Sequence, residues 1–302
     1  MTPKPLPLDE AHLRIEDGDT RIDRTILSCG ARVLSQVIPA TKSAGVSLWV
    51  PVGSRDEDEK TAGSTHFLEH LLFKGTRARS SLDIAIAFDS VGGESNAETA
   101  REHTAYWARV RDADLDMAIE TLADMVSDSR LDEADFATER GVILDELAMG
   151  EDSPTETVHD AFQLAVHGDR PIGRPVGGTA RAISAVTRDD VWDHYQAHYG
   201  PASLIVAAAG NVDHDHVCER VQAALDASPW DERAVASPRP RRSTQRSAPA
   251  EHDRDITRRR DVTQAHVIIG CEGLPATDPQ GPTMSVLLSI LGGSMSSRLF
   301  QE

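Results

Sequence analysis

Two histidines and a glutamate stand together in the run His66-Phe67-Leu68-Glu69-His70. On a helix, residues four apart leave the same face one turn from each other. Two neutral imidazoles at that spacing can grip one zinc ion. Glu69 sits beside the second imidazole, where a carboxylate can act as a general base towards a water on the same ion. The plainer alternative is an amphipathic helix carrying two incidental histidines.

The surrounding residues describe the element that must hold these groups. Gly63-Ser64-Thr65 predicts a helix start with hydroxyl caps. Phe67, Leu68, Leu71 and Leu72 supply a core-facing side, and Gly75 supplies a residue for a left-handed exit. A catalytic zinc site takes three protein ligands, so a third must come from elsewhere. The stretch from Asp132 to Met149 reads as a second helix, with Asp132 as N-cap. Glu139 and Glu146 are seven apart on it and project from nearly the same side. Residue pattern alone leaves two readings open for that pair: a solvated acidic face, or carboxylates that meet a cation.

The order H-x-x-E-H is the inverse of H-E-x-x-H. With its surroundings it resembles the pitrilysin and mitochondrial processing peptidase family of zinc metallopeptidases, and most of all the small bacterial members. The resemblance is carried by SLWVPVGSRDEDEKTAGSTHFLEHLLFKGT (Ser47 to Thr76) and GGESNAETAREHTAYWARV (Gly92 to Val110). ERGVILDELAMGEDSPTETVHDAF (Glu139 to Phe162) and LGGSMSSRLFQE (Leu291 to Glu302) complete it. It implies an α+β fold, a two-layer metallohydrolase domain followed by the incomplete start of a second similar domain. It implies one Zn²⁺ per chain, bound by His66, His70 and Glu146, which lies 76 positions beyond His70. Glu69 becomes the catalytic base, and Glu139 the carboxylate behind a ligand. Asn96 and Ala97 fall on an edge strand that pairs with the backbone of an extended peptide substrate. The implied activity is hydrolysis of unfolded peptides or precursor segments. The competing class is a non-catalytic partner subunit, as some members of the family are.

Other histidines invite plainer readings. His194 and His198 are four apart but lack a glutamate in the base position. Asp213-His214-Asp215-His216 follows a Gly-Asn turn and reads as solvated.

Composition sets the bounds. A net charge of −18 disfavours nucleic acid as a partner. The sequence contains no apolar run of about 18 residues that would span a bilayer. Cys29, Cys218 and Cys271 are few, odd in number and far apart, which suits a reducing cytoplasm.

Along the chain, residues 1–20 are expected to be frayed and residues 21–228 to form the zinc domain. Residues 229–261, rich in Arg, Pro and Ser, read as a linker. Residues 262–302 read as the start of the second domain, with a short strand from Gln264 to Gly270 and a helix from Thr283 to Leu291. About forty residues cannot bury a core alone. The expectation is therefore a fragment, a truncated reading frame, or one piece that needs a complementary chain or homologous partner subunit.

Overall fold

A computed structural model of the chain describes residues 6–18, 20–168, 170–230, 238–240, 255–271 and 273–302. The α+β expectation holds. Among the described residues, seven strands make one mixed sheet: β1 (His12–Asp17), β2 (Thr20–Ile26), β3 (Arg32–Val37), β4 (Ser43–Val50), β5 (Glu94–Thr99), β6 (Thr104–Arg111) and β7 (Ile205–Gly210). Their spatial order is β1-β2-β3-β7-β4-β6-β5. Only β3 and β7 pair in parallel; the other neighbours are antiparallel.

The sheet alternates as a one-sided sheet should. In β4, Ala44, Val46, Leu48 and Val50 are buried while Gly45, Ser47 and Trp49 are only half-buried. The buried side is covered by α3 (Leu115–Asp128), which packs on β4 and β6, and by α8 (His214–Asp226), which packs on β3 and α3. At the β5 end sits the metal-motif helix α1 (Ser64–Leu72), followed by α2 (Ser81–Asp89). Helix α1 packs against β5, α4 (Glu133–Asp152) and α7 (Arg188–His198). Phe67 of α1 stacks on Phe136 of α4 with ring centroids 4.4 Å apart, and both side chains are buried. This contact fixes the distance between the two helices. Helices α5 (Pro154–His167) and α6 (Ala180–Ala185) complete the α4 side, and α9 (Gly281–Gly292) and α10 (Arg298–Gln301) follow later in the chain. No helix among the described residues is long and apolar enough to cross a membrane.

Three expectations need correction. Residues 12–17, expected to be frayed, form β1. Their backbone pairs along the whole of β2, and Arg14 binds Asp23 at 2.8 Å. The tight connection between the two strands includes Gly18 at φ +60°, a conformation glycine adopts without strain. The expected linker begins too early at 229, because Trp230 is 2% exposed and belongs to the core. Residues 231–237 and 241–254 of that linker lie outside the described residues. Finally, Gln264 to Gly270 forms no strand, because a strand requires a ladder partner and none is present among the described residues. The helix expected near Thr283 is present as α9, and its Val286, Leu287, Leu288 and Ile290 are exposed.

Candidate metal centre

Helix α1 begins without a capping side chain on its own N-cap residue. Its N-cap is Gly63, at φ +91°, and neither Ser64 nor Thr65 caps it as the sequence suggested. The chain turns away two residues past the C-cap, with Gly75 at φ +121°. Between these ends, the turn spacing brings His66 and His70 to one side, ring centroids 4.8 Å apart.

Their Nε2 atoms are 3.3 Å apart. Glu146 reaches across from α4, with its Oε2 atom 3.5 Å from His70 Nε2 and 3.8 Å from His66 Nε2. Three ligands on a tetrahedral zinc at about 2.0–2.2 Å lie roughly 3.3–3.5 Å from one another. The donor set therefore has the spacing of a zinc site, and it is the one group of three potential ligands within 4.8 Å of one another among the described residues. Glu146 is exposed, so the cluster opens on one side.

Behind it the site is closed. His70 Nδ1 lies 3.0 Å from Glu139 Oε2, and the second oxygen of Glu139 lies 2.8 Å from Lys74 Nζ. A carboxylate can only accept, so it fixes the proton of a neutral His70 on Nδ1 and leaves the Nε2 lone pair aimed into the cluster. Glu139 is buried, so the solvated-face reading of this helix fails at that position. The Nδ1 atom of His66 is buried and has no hydrogen-bond partner among the described residues. Burial, and then the neighbouring His70, lower the pKa of His66 to about 4, against a smaller opposing pull from Glu146. Its imidazole is thus neutral at pH 7, the form that ligates metal.

Glu69 is half-buried on α1, and its carboxylate has no hydrogen bond or ion pair among the described residues. Its charge acts on a buried pair, Tyr106 and Tyr199, whose hydroxyls lie 3.2 Å apart. Burial above all pushes Tyr199 up to about 12, with Glu69 adding to the rise. Both tyrosines are therefore neutral beside the site.

Asn96 and Ala97 lie on β5, at the sheet edge and beside α1. The backbone bond from Ala100 to His103 sets the ladder phase, so Glu94, Asn96 and Glu98 turn their amides to β6. The amides of Ser95, Ala97 and Thr99 face the free edge. There the Ala97 N–H is bonded by the Asn96 side-chain oxygen at 2.8 Å.

Among the described residues, the remaining histidines join no such group. His194 is buried against Thr65 at 3.2 Å and stacks near His198. His214 is not solvated as expected: it opens α8 and lies 2.8 Å from both Ser35 and Thr25. Sequence reasoning missed Lys74 and Glu57. Glu57 lies in an acidic run, and nothing in its neighbours signals that it is 5% exposed.

Residues 32–180 match the insulinase family, peptidase family M16, and residues 185–302 match the peptidase M16 inactive domain. An uncharacterized zinc protease of Streptomyces coelicolor is 47% identical over 95% of this chain and 62% of its own length. One of Mycobacterium leprae is 44% identical over 92% of this chain and 62% of its own. This chain thus spans about three fifths of the curated relatives it matches. A solved protease from Helicobacter pylori superposes with a TM-score of 0.66 at 25% identity, covering 76% of this chain and 54% of the other. The peptidase M16 inactive domain from Pseudomonas fluorescens has the same fold with a TM-score of 0.76 at 17% identity, covering 93% of this chain and 67% of its own. Motif, fold and relatives agree, and the chain belongs to the insulinase and pitrilysin family of peptidases, family M16.

Proposed function

We propose that this chain is a zinc-dependent endopeptidase in which His66, His70 and Glu146 hold one ion and Glu69 is the general base. The observation that carries this reading is the convergence of three donor atoms at zinc spacing, with Glu139 fixing His70 from behind. A zinc ion supplies a Lewis acid and makes a water acidic enough to ionise near neutral pH. Glu69 neighbours His70 on α1, and its carboxylate has no hydrogen bond or ion pair among the described residues. It accepts the proton of the attacking water and returns it to the leaving amine. The neutral Tyr106 and Tyr199 hydroxyls lie within the field of that carboxylate and place no competing charge there.

The substrate in this reading is an extended, unfolded peptide or precursor segment laid along β5. The outward amide of Ser95, and that of Ala97 once a peptide displaces the Asn96 side chain from it, offer main-chain bonds beside α1, which favours backbone recognition over a strict sequence rule. The exposed apolar residues of α9 support a complementary domain or homologous subunit that covers them. Three unpaired cysteines agree with a cytoplasmic setting.

The test is Glu69→Gln, which preserves size and removes the base. Zinc should remain at one ion per chain, while cleavage of a quenched peptide should fall at least a hundredfold. Cleavage at the parent rate would remove Glu69 from this role, and a purified protein that refuses zinc would remove the whole reading.

A further inference from the structure

Helix α1 must present His66 within its first turn, yet its N-cap residue cannot cap it. A Cβ on Gly63 would stand 2.4 Å from Ile183 Cδ1, and the φ of +91° disfavours any side chain there. The amide groups at a helix start still need partners. Two of them find the same carboxylate: the amide of Gly63 donates to Glu57 Oε2 and the amide of Thr65 to Glu57 Oε1, each at 2.7 Å.

Glu57 follows the short turn Ser54–Asp56, outside the helix, and is 5% exposed. It has no ion pair with a lysine or arginine among the described residues. The neighbouring charge that acts on it is that of another acid, Asp56. A buried carboxylate without a cation is destabilising unless hydrogen bonds compensate. Here the helix start supplies them, with the favourable end of its dipole. The Thr65 hydroxyl also bonds Glu57 and lies 3.2 Å from His194 Nε2 on α7. One carboxylate therefore fixes the rotation and height of α1 at the residue before His66, and ties that point to a second helix. A metal site tolerates ligand displacements of only about 0.5 Å.

We propose that Glu57 is a positioning residue for the metal centre, the remote cap that sets where helix α1 delivers His66 and His70. It touches neither metal nor substrate. The inference rests on the zinc-site reading above and adds a residue to it.

The test compares Glu57→Gln and Glu57→Asp with Val221→Ala, a core variant on α8 away from the site. Gln keeps the shape but turns a donor towards one amide; Asp is too short to reach both. Zinc affinity by chelator competition should fall tenfold or more in both Glu57 variants and stay within about twofold in Val221→Ala. Hydrogen exchange of the metal-free protein should show lost protection at Thr65 and the next turn of α1, with the sheet amides unchanged. If the parent binds zinc and Glu57→Gln binds it equally well, Glu57 has no positioning role while the zinc site stands. Equal losses of affinity in Val221→Ala and the Glu57 variants would reduce Glu57 to general stability and also overturn the proposal. If the parent binds no zinc, both readings fall together.

Discussion

His70 Nδ1 stands 3.0 Å from Oε2 of Glu139, a carboxylate two turns before Glu146 on the same helix. Helix α4 thus meets one imidazole from both sides, with Glu146 at the Nε2 face and Glu139 at the Nδ1 face. The two roles have opposite exposure: Glu146 is open and Glu139 is buried.

Glu139 is expected to govern affinity. Glu139→Gln retains an acceptor for His70 but loses the charge, and zinc affinity should drop about tenfold. Glu139→Ala also frees the tautomer and should approach a hundredfold. Lys74→Met leaves Glu139 without its cation and should give a smaller loss than either. Chelator competition with each purified variant ranks the three; unchanged affinity in Glu139→Ala contradicts the role.

The stability of the metal-free protein should depend on pH in a defined window. Burial and a neighbouring imidazole lower His66 and His194 each to about 4, against 6.5 in the unfolded chain. Between those values the unfolded state binds more protons, so stability rises with pH and is lost as pH falls towards 4. Each histidine contributes up to about 3 kcal/mol. Glu57 acts in the opposite sense. Burial raises it from 4.5 to about 7, so its contribution declines as pH rises through that range. From pH 4.5 to 6.5 two histidines outweigh one glutamate. Urea unfolding in chelator should therefore show rising stability across that window, with a shallower slope in His194→Gln. A parent curve that falls would contradict this assignment.

The legible parts of the sequence were those where spacing alone sets geometry. The i, i+4 histidines, the Asp132 cap of α4 and the seven-residue gap from Glu139 to Glu146 are local facts, and the structure keeps all three. The cap of α1 is not legible in the sequence because its partner is non-local. Ser64 and Thr65 look like caps, yet the carboxylate of Glu57, six residues before the N-cap Gly63, does the capping. Strand β1 is hidden for a related reason. Its charged residues look solvated, but Arg14 pairs with Asp23 across the hairpin. Trp230 sits among polar neighbours in sequence, and only the fold reveals the core that receives it.

The β5 edge gives a prediction that separates binding from chemistry. Ala97→Pro deletes an amide that faces the free edge, where proline is tolerated. The fold should survive, and the thermal midpoint should stay within a few degrees. A peptide substrate that displaces the Asn96 side chain from this amide loses one main-chain bond of up to about 1 kcal/mol, so KM should rise by up to roughly fivefold with kcat nearly unchanged. The same change at Asn96 strikes an amide bonded to β6 and should unfold the edge instead. Equal outcomes at the two positions would place the substrate elsewhere.

The spacing between α1 and α4 depends on one aromatic contact. Phe67 and Phe136 are stacked at 4.4 Å, and Phe67 is fully buried. Phe67→Ala removes that wedge and should destabilise the protein by about 3–5 kcal/mol, through lost burial and a residual cavity. The proposed metal ligands themselves are untouched, but His66 and His70 sit on one side of the wedge and Glu146 on the other. Collapse or slippage of α1 on α4 shifts Glu146 relative to both imidazoles, so zinc affinity should fall as well. Phe67→Leu fills most of the volume and should recover much of both quantities. Denaturant unfolding and chelator competition on the two variants test this together. If Phe67→Ala lost stability but held zinc as tightly as the parent, the three ligands would be positioned by something other than this helix pair.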